Sequence, residues 1–294
     1  MTDQPRPAAS LDEMRALLAA LPTLAEGPAR PGDPAVAVLA RLAAEHGRDR
    51  PRLDHPRVAL FAAAHGVAAR LPQAGGPDLG ARIEAILERR DPLLAAAEAV
   101  DADLRLYELA WPRPSADITR APALSDGAAA TAMAYGMMAV DEAIDILGVA
   151  ALGDEGAVAA GAIGLMLFGG AAEDWGSRDT APLIAEAVAR HRGAERDAVE
   201  MLRRLGGEDI AAIAGAVLAA RFARVAVVLD GAPALAAAAI LERAAPGATV
   251  HCLTTSRGRL GDALGLPAVM DAAAGDAGLS AVAALRGALD RVVV

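Results

Sequence analysis

Five short runs rich in leucine or β-branched residues, each followed by alanine-rich stretches with helical spacing, constrain what this chain can fold into more than any other feature. The runs are Arg57 to Phe61, Leu104 to Leu109, Ile144 to Val149, Val225 to Leu229 and Thr249 to Leu253, and each closes on small residues. Helical patterns lie between and around them: Ile83 to Arg90, Pro92 to Val100, Gly127 to Val140, Glu155 to Phe168, Pro182 to Arg192, Arg196 to Leu205, Ile210 to Ala220 and Ala232 to Ala244. Strand alternating with helix predicts an α/β fold, a parallel sheet flanked by helices on both faces, because right-handed strand-helix-strand units order such runs most simply. Composition supports close packing. Of the residues, 54% are hydrophobic and only 2% aromatic, so Ala, Leu, Val and Ile must build a core in which helices lie tightly on the sheet.

The spacing divides the 294 residues into an N-terminal helical arm at 1–50, a main α/β domain at 51–258 and C-terminal helices at 259–294 that return to the small terminal domain. Within the arm, Leu11 to Leu21 and Ala35 to His46 have helical spacing, interrupted by Pro22 and the stretch from Gly27 to Asp33. The start of the chain carries Asp3, Asp12 and Glu13 with no apolar run, which does not read as a secretory signal. The richest apolar stretch, Ala157 to Ala172, is short and glycine-interrupted, so no membrane span is expected and a cytoplasmic location fits.

Charge and residue usage exclude several chemistries. A net charge of −10 argues against nucleic acid as a partner, since phosphate backbones demand clustered positive charge. The single cysteine, Cys252, rules out an intramolecular disulfide or a multi-cysteine metal site, and the five histidines have no metal-ligand spacing, so no metal is expected. Every basic residue among the 28 is an arginine, which removes any lysine Schiff base or lysine phosphate clamp.

In a parallel sheet, ligands sit beyond the carboxyl ends of the strands. Three such ends carry candidate groups: His65-Gly66-Val67, Ala150 to Gly156, and Asp230-Gly231. Each admits two readings. His65 is a ligand contact or a satisfied structural histidine, and Asp230 contacts a ligand or caps the following helix at Ala232. Arg178 holds a phosphate or is a solvated surface arginine, and Met133, Met137 and Met138 form a wall for a flat ring or simply fill core. Trp111 to Pro122 reads as a long loop.

Five segments, in order, resemble the nicotinate-nucleotide:dimethylbenzimidazole phosphoribosyltransferase family of cobalamin lower-ligand assembly. Pro51 to Val67 is similar to the family's first strand and its H-G-V turn, and Tyr107 to Leu124 to the loop that ends in a G-P-A-M type motif. Phe168-Gly169-Gly170 with Asp174-Trp175 resembles the approach to a glycine-rich phosphate loop, Leu202 to Gly215 the double-glycine helix start, and Val227 to Leu253 the late D-G strand end with its helix and strand. The resemblance spans roughly residues 30 to 290. It implies an α/β protein with a small domain from the chain termini, assembled as a homodimer or as a heterodimer with a family paralogue. It implies no cofactor, with nicotinate mononucleotide and a benzimidazole as ligands and phosphoribosyl transfer as the reaction.

The same resemblance marks losses. The family's G-E-M-G-I-G-N-T-T stretch falls on Ala150 to Val158, with Ala151 where the family has glutamate, and its G-R-G-T-G loop falls on Ser177 to Ala181, keeping Arg178 and Thr180 but gaining Asp179. The S-H-x-S-A-E motif falls on His251 to Ser256, and the G-G-A-A-I-N stretch near Arg90 to Leu94 lacks its glycines and asparagine. The general base falls near Asp276, which is about 1 Å shorter in reach than glutamate, in a site where such a misplacement can cost about 100-fold. Two expectations follow. One is a diverged transferase with Asp276 as base, Arg178 and Thr180 on phosphate, and His65, Ala151, Asp230, Gly231, Met133 and Met137 lining the site. The other is a catalytically silent paralogue that binds a ligand or partners an intact family enzyme.

Overall fold

The computed structural model describes residues 10–24, 33–51, 53–72, 79–109, 112–152, 156–270 and 278–293. Its centre is a five-stranded parallel sheet in the order β2-β1-β3-β4-β5. The strands are β1 (Pro56–Ala62), β2 (Asp103–Glu108), β3 (Ile146–Ala151), β4 (Ala226–Asp230) and β5 (Cys252–Thr254). The helices are α1 (Leu11–Ala19), α2 (Pro34–Glu45), α3 (Leu79–Leu87), α4 (Pro92–Glu98), α5 (Asp126–Met137), α6 (Ala157–Phe168), α7 (Ala181–Arg190), α8 (Ala198–Leu205), α9 (Glu208–Ala223), α10 (Gly231–Ala244), α11 (Arg259–Leu264) and α12 (Leu279–Val293).

Period-two alternation divides each central strand between two cores. From β1, Ala59 and Phe61 join β3 Leu147 and Val149 and β4 Val227 and Leu229 under α5, α6, α9 and α10. Their neighbours Val58, Leu60, Ile146, Ala150 and Val228 pack on the opposite face with α3, α4 and α12. Burial on both faces is why these strands read as unbroken apolar runs. Edge strand β2 alternates exposed and half-covered residues along most of its length.

The terminal helices pack on opposite sides, α1 against α5 and α8, α2 against α12 and the strands β4 and β5. Helix α9 is buried almost all round, and it meets α5 so closely that the two backbones touch through glycines. A methyl on Gly136 would strike the Ala212 carbonyl, and one on Gly215 the Met133 carbonyl. The absence of a side chain at both glycines is what permits such an approach.

At the amino end of the sheet Arg57 is buried and divides its guanidinium between Asp103 (Nε, 2.8 Å) and Asp141 (Nη1, 2.8 Å), and it also donates to the Ala139 carbonyl at 3.0 Å. It ties edge strand β2 and the turn before β3 to the central strand. Its guanidinium holds the Asp141 carboxyl below the usual range.

The strand bounds shift from the sequence reading by one or two residues at β1 to β4 and by three at the start of β5. The last strand begins at Cys252 rather than Thr249, and Val250 is partly exposed. The Glu242 carboxylate, in the last turn of α10, accepts from the Gly247 and Thr249 amides (2.7 and 3.1 Å) and from the Thr249 hydroxyl (2.7 Å), holding the chain in a turn. No helix among the described residues is long and apolar enough to cross a membrane.

Candidate functional site

The strand order reverses direction between β1 and β3, the switch point beyond whose carboxyl ends parallel sheets bind ligands. His65 follows β1 at this switch point and is buried, with Nε2 2.9 Å from Oδ1 of Asp209. Asp209 lies in the first turn of α9, equally buried, where the same oxygen accepts from the Ile210 amide at 2.7 Å. The turn before α9 is shaped around the imidazole: a Cβ on Gly207, at φ +156°, would collide with His65 Cε1. Gly156 approaches the pair from the β3 side, its Cβ position lying 3.0 Å from Pro233 Cγ, 3.1 Å from Asp209 Oδ2 and 3.5 Å from His65 Nε2. Three loops thus converge on one His–Asp pair.

Glu208 precedes Asp209 and is half-buried. Burial, and then the adjacent Asp209 charge, push its carboxyl above the usual range, against the opposing influence of Arg113 and His65. A carboxyl so placed is a stronger base than a solvated one. Arg113 comes from the loop after β2. That loop is fastened by His191, whose Nε2 donates to the Ile118 carbonyl at 2.8 Å, and by the Ser115 amide donating to the Ala64 carbonyl at 2.9 Å.

Asp230 ends β4, buried, and does not cap the helix that follows it. Its Oδ2 accepts from the amides of Gly278 (2.9 Å) and Ala281 (3.0 Å) at the start of α12, and its Oδ1 from the Thr255 hydroxyl (3.1 Å). The cap therefore belongs to a helix 48 or more residues away. Burial outweighs these three bonds and leaves the carboxyl above its ordinary range.

Beyond β4 and β5 lies a cleft of about 260 Å³ whose wall is Trp175, whose floor includes Gly231, Ala232 and Leu235, and whose rim carries Arg257 and Arg259. The Arg259 guanidinium stacks on the Trp175 ring at 4.7 Å, and the Trp175 indole N–H donates to the Gly169 carbonyl at 2.8 Å. Just before β5, His251 is fully buried, donates to the Val217 carbonyl and is pushed down to about 3 by burial, while burial pushes the Cys252 thiol up.

The structure brings some of the residues singled out in the sequence together and separates others. His65, Asp230 and Gly231 stand at carboxyl ends, as does Ala151, which closes β3 with its methyl buried in the larger core cluster. Arg178 and Asp179 are exposed in the turn before α7, and Thr180 is tied into that turn, its Oγ1 accepting from the Ser177 amide at 2.8 Å. Met133 is packed inside the α5–α9 crossing and Met137 is half-buried at the end of α5, both away from the residues that line the cleft. Asp276 lies outside the described residues. Sequence reasoning passed over Asp209, Glu208, Arg257 and Arg259; the signal for the first was an acid inside an otherwise apolar helix directly after Gly206-Gly207. Among the described residues no group of three or more His, Cys, Asp or Glu side chains could hold a metal ion.

Comparison with known proteins gives consistent matches. The phosphoribosyltransferase family model matches residues 36–273. A nicotinate-nucleotide–dimethylbenzimidazole phosphoribosyltransferase of Brucella anthropi is 39% identical over 227 residues, covering 74% of this chain and 67% of the relative, and its counterpart in Brucella canis is 38% identical over the same lengths. Among solved structures, CobT from Thermus thermophilus superposes with a TM-score of 0.75 at 25% identity, covering 96% of this chain and 94% of that one.

Proposed function

Because the chain belongs to the nicotinate-nucleotide–dimethylbenzimidazole phosphoribosyltransferase family of cobalamin lower-ligand assembly, we propose that it takes nicotinate mononucleotide and a benzimidazole-like ring beyond the carboxyl ends of its strands and transfers the phosphoribosyl group slowly or not at all. One observation supports this reading above the others. Two buried carboxylates at that end of the sheet are spent on the protein itself, Asp209 on His65 and Asp230 on the cap of α12. At the position in β3 where the family resemblance places a glutamate, the chain has Ala151.

A proton acceptor for the ring nitrogen must then come from elsewhere. The resemblance assigns that role to Asp276, and the carboxyl of Glu208, raised by burial, is the second candidate. Asp276 is one methylene shorter than glutamate, and a misplacement of about 1 Å can cost about 100-fold. Purified protein incubated with nicotinate mononucleotide and dimethylbenzimidazole, followed by chromatography for nicotinate, tests the reading alongside calorimetric titration. Binding heat with nicotinate release at least about 100-fold slower than in an intact relative is the expected result. Release at the relative's rate refutes the loss of catalysis; absence of any binding heat refutes the ligand assignment.

The same loss of polar groups on a retained scaffold supports a second reading, a silent subunit that pairs with an intact family member. Co-expression with such an enzyme and size-exclusion chromatography of the mixture distinguish the two. A stable heterodimer favours the partner role, and a self-associated or monomeric protein that binds nucleotide favours the first.

A further inference from the structure

Two guanidinium groups rim the cleft over β4 and β5 in a chain whose net charge is −10. We propose that Arg257 and Arg259 hold the phosphate of a pyridine mononucleotide there, in place of the backbone amides of a glycine-rich loop. This rests on the family reading above and names the anion-binding residues within that site.

The loop that would otherwise do this work is closed on itself. The Ser177 amide donates to Thr180 Oγ1 at 2.8 Å, the Thr180 amide to Ser177 Oγ at 3.3 Å, and the two hydroxyls lie 3.2 Å apart. Amides already engaged in this way are poor donors to a phosphate, and the neighbouring Asp179 adds repulsion.

The cleft, in contrast, holds cations with capacity to spare. Among the described residues Arg257 has no ion pair, and Arg259 has only Asp174, at 3.4 Å. That carboxylate oxygen already accepts from the Ala171 amide at 2.8 Å. The cation–π contact with Trp175 positions the Arg259 guanidinium at the cleft, and its fork of N–H donors matches the oxygens of a phosphate. The volume, about 260 Å³, lies just below the roughly 300 Å³ at which pockets for drug-sized ligands begin, which suits a phosphoribosyl group rather than a large cofactor.

Calorimetric titration with nicotinate mononucleotide, nicotinate riboside and inorganic phosphate tests the assignment on the wild type and the variants Arg257→Gln, Arg259→Gln, Asp174→Asn and Arg178→Gln. Each guanidinium lost from the cleft should weaken the mononucleotide by about three- to tenfold, less than the roughly 10- to 150-fold of a buried charged hydrogen bond because both side chains are exposed, and leave the riboside unchanged. Asp174→Asn, which frees Arg259 of its counter-charge, should tighten the mononucleotide by about two- to threefold. A purely structural role for Asp174 gives the opposite sign. Inorganic phosphate bound weakly by the wild type and lost in Arg257→Gln supports the same site. The proposal is overturned if the wild type binds mononucleotide and riboside equally, or if Arg178→Gln weakens the mononucleotide and Arg257→Gln does not. A wild type that binds none of the three overturns the family reading itself, a result distinct from either of those.

Discussion

Replacing Asp230 with alanine would leave two buried backbone amides, Gly278 and Ala281, and the Thr255 hydroxyl without an acceptor. Each unsatisfied buried donor costs about 1–3 kcal/mol, and release of a desolvated carboxylate returns part of it, so the expected loss is about 3 kcal/mol. Set against a domain stability of about 5–15 kcal/mol, that is large. Asparagine behaves differently: its oxygen can take over both amides and its NH₂ can donate to the Thr255 oxygen, so Asp230→Asn should stay within about 1 kcal/mol of the wild type. The pH dependence separates the two effects. Because the folded carboxyl titrates above its ordinary 3.8, the stability it contributes is fully present below that value and is lost as pH rises through the folded pKa. Asp230→Asn, which has no such titration, should therefore gain on the wild type as pH rises from about 4 toward neutrality. Urea unfolding of the three proteins at several pH values measures this, and hydrogen exchange at the Gly278 and Ala281 amides locates the damage in alanine at the start of α12. An alanine variant as stable as the wild type, or an asparagine variant whose advantage does not change with pH, would refute the idea that this carboxylate serves the fold.

Two further outcomes are expected. Gly215→Ala should destabilise by about 2–4 kcal/mol in urea unfolding, because its new methyl meets the Met133 carbonyl of α5 and the two backbones must separate. His251, held neutral by burial at about 3, contributes stability that is present above its ordinary 6.5 and lost as pH falls through 6.5 toward the folded value. The wild type should lose up to about 5 kcal/mol over that window, and His251→Gln, which has no charge to take up, should give a flatter acid limb in thermal melts.

The sheet was legible because its strands are buried on both faces: Val58 to Phe61, Ile146 to Val149 and Val227 to Leu229 are apolar runs that only a doubly covered parallel sheet accommodates. The alanine-rich periodicity between them placed most helices to within a few residues. The start of β5 was not legible, because Glu242 acts on Thr249 across a turn and β-branched composition alone favoured a strand there.

The sequence by itself determined the architecture, the absence of lysine chemistry and the family, since these depend on local pattern, composition and ordered motifs that need no third dimension. The tertiary structure decided the partners of the polar groups. It joined His65 to Asp209 across 144 positions, turned Asp230 from the cap of the next helix into the cap of α12, and enclosed Met133 between α5 and α9. It also set Arg259 on Trp175 at the edge of the cleft. A side chain's type is written in the chain, but its charge state and availability depend on burial and on neighbours that are remote in sequence, and those are fixed only when the sheet and its helices close around it.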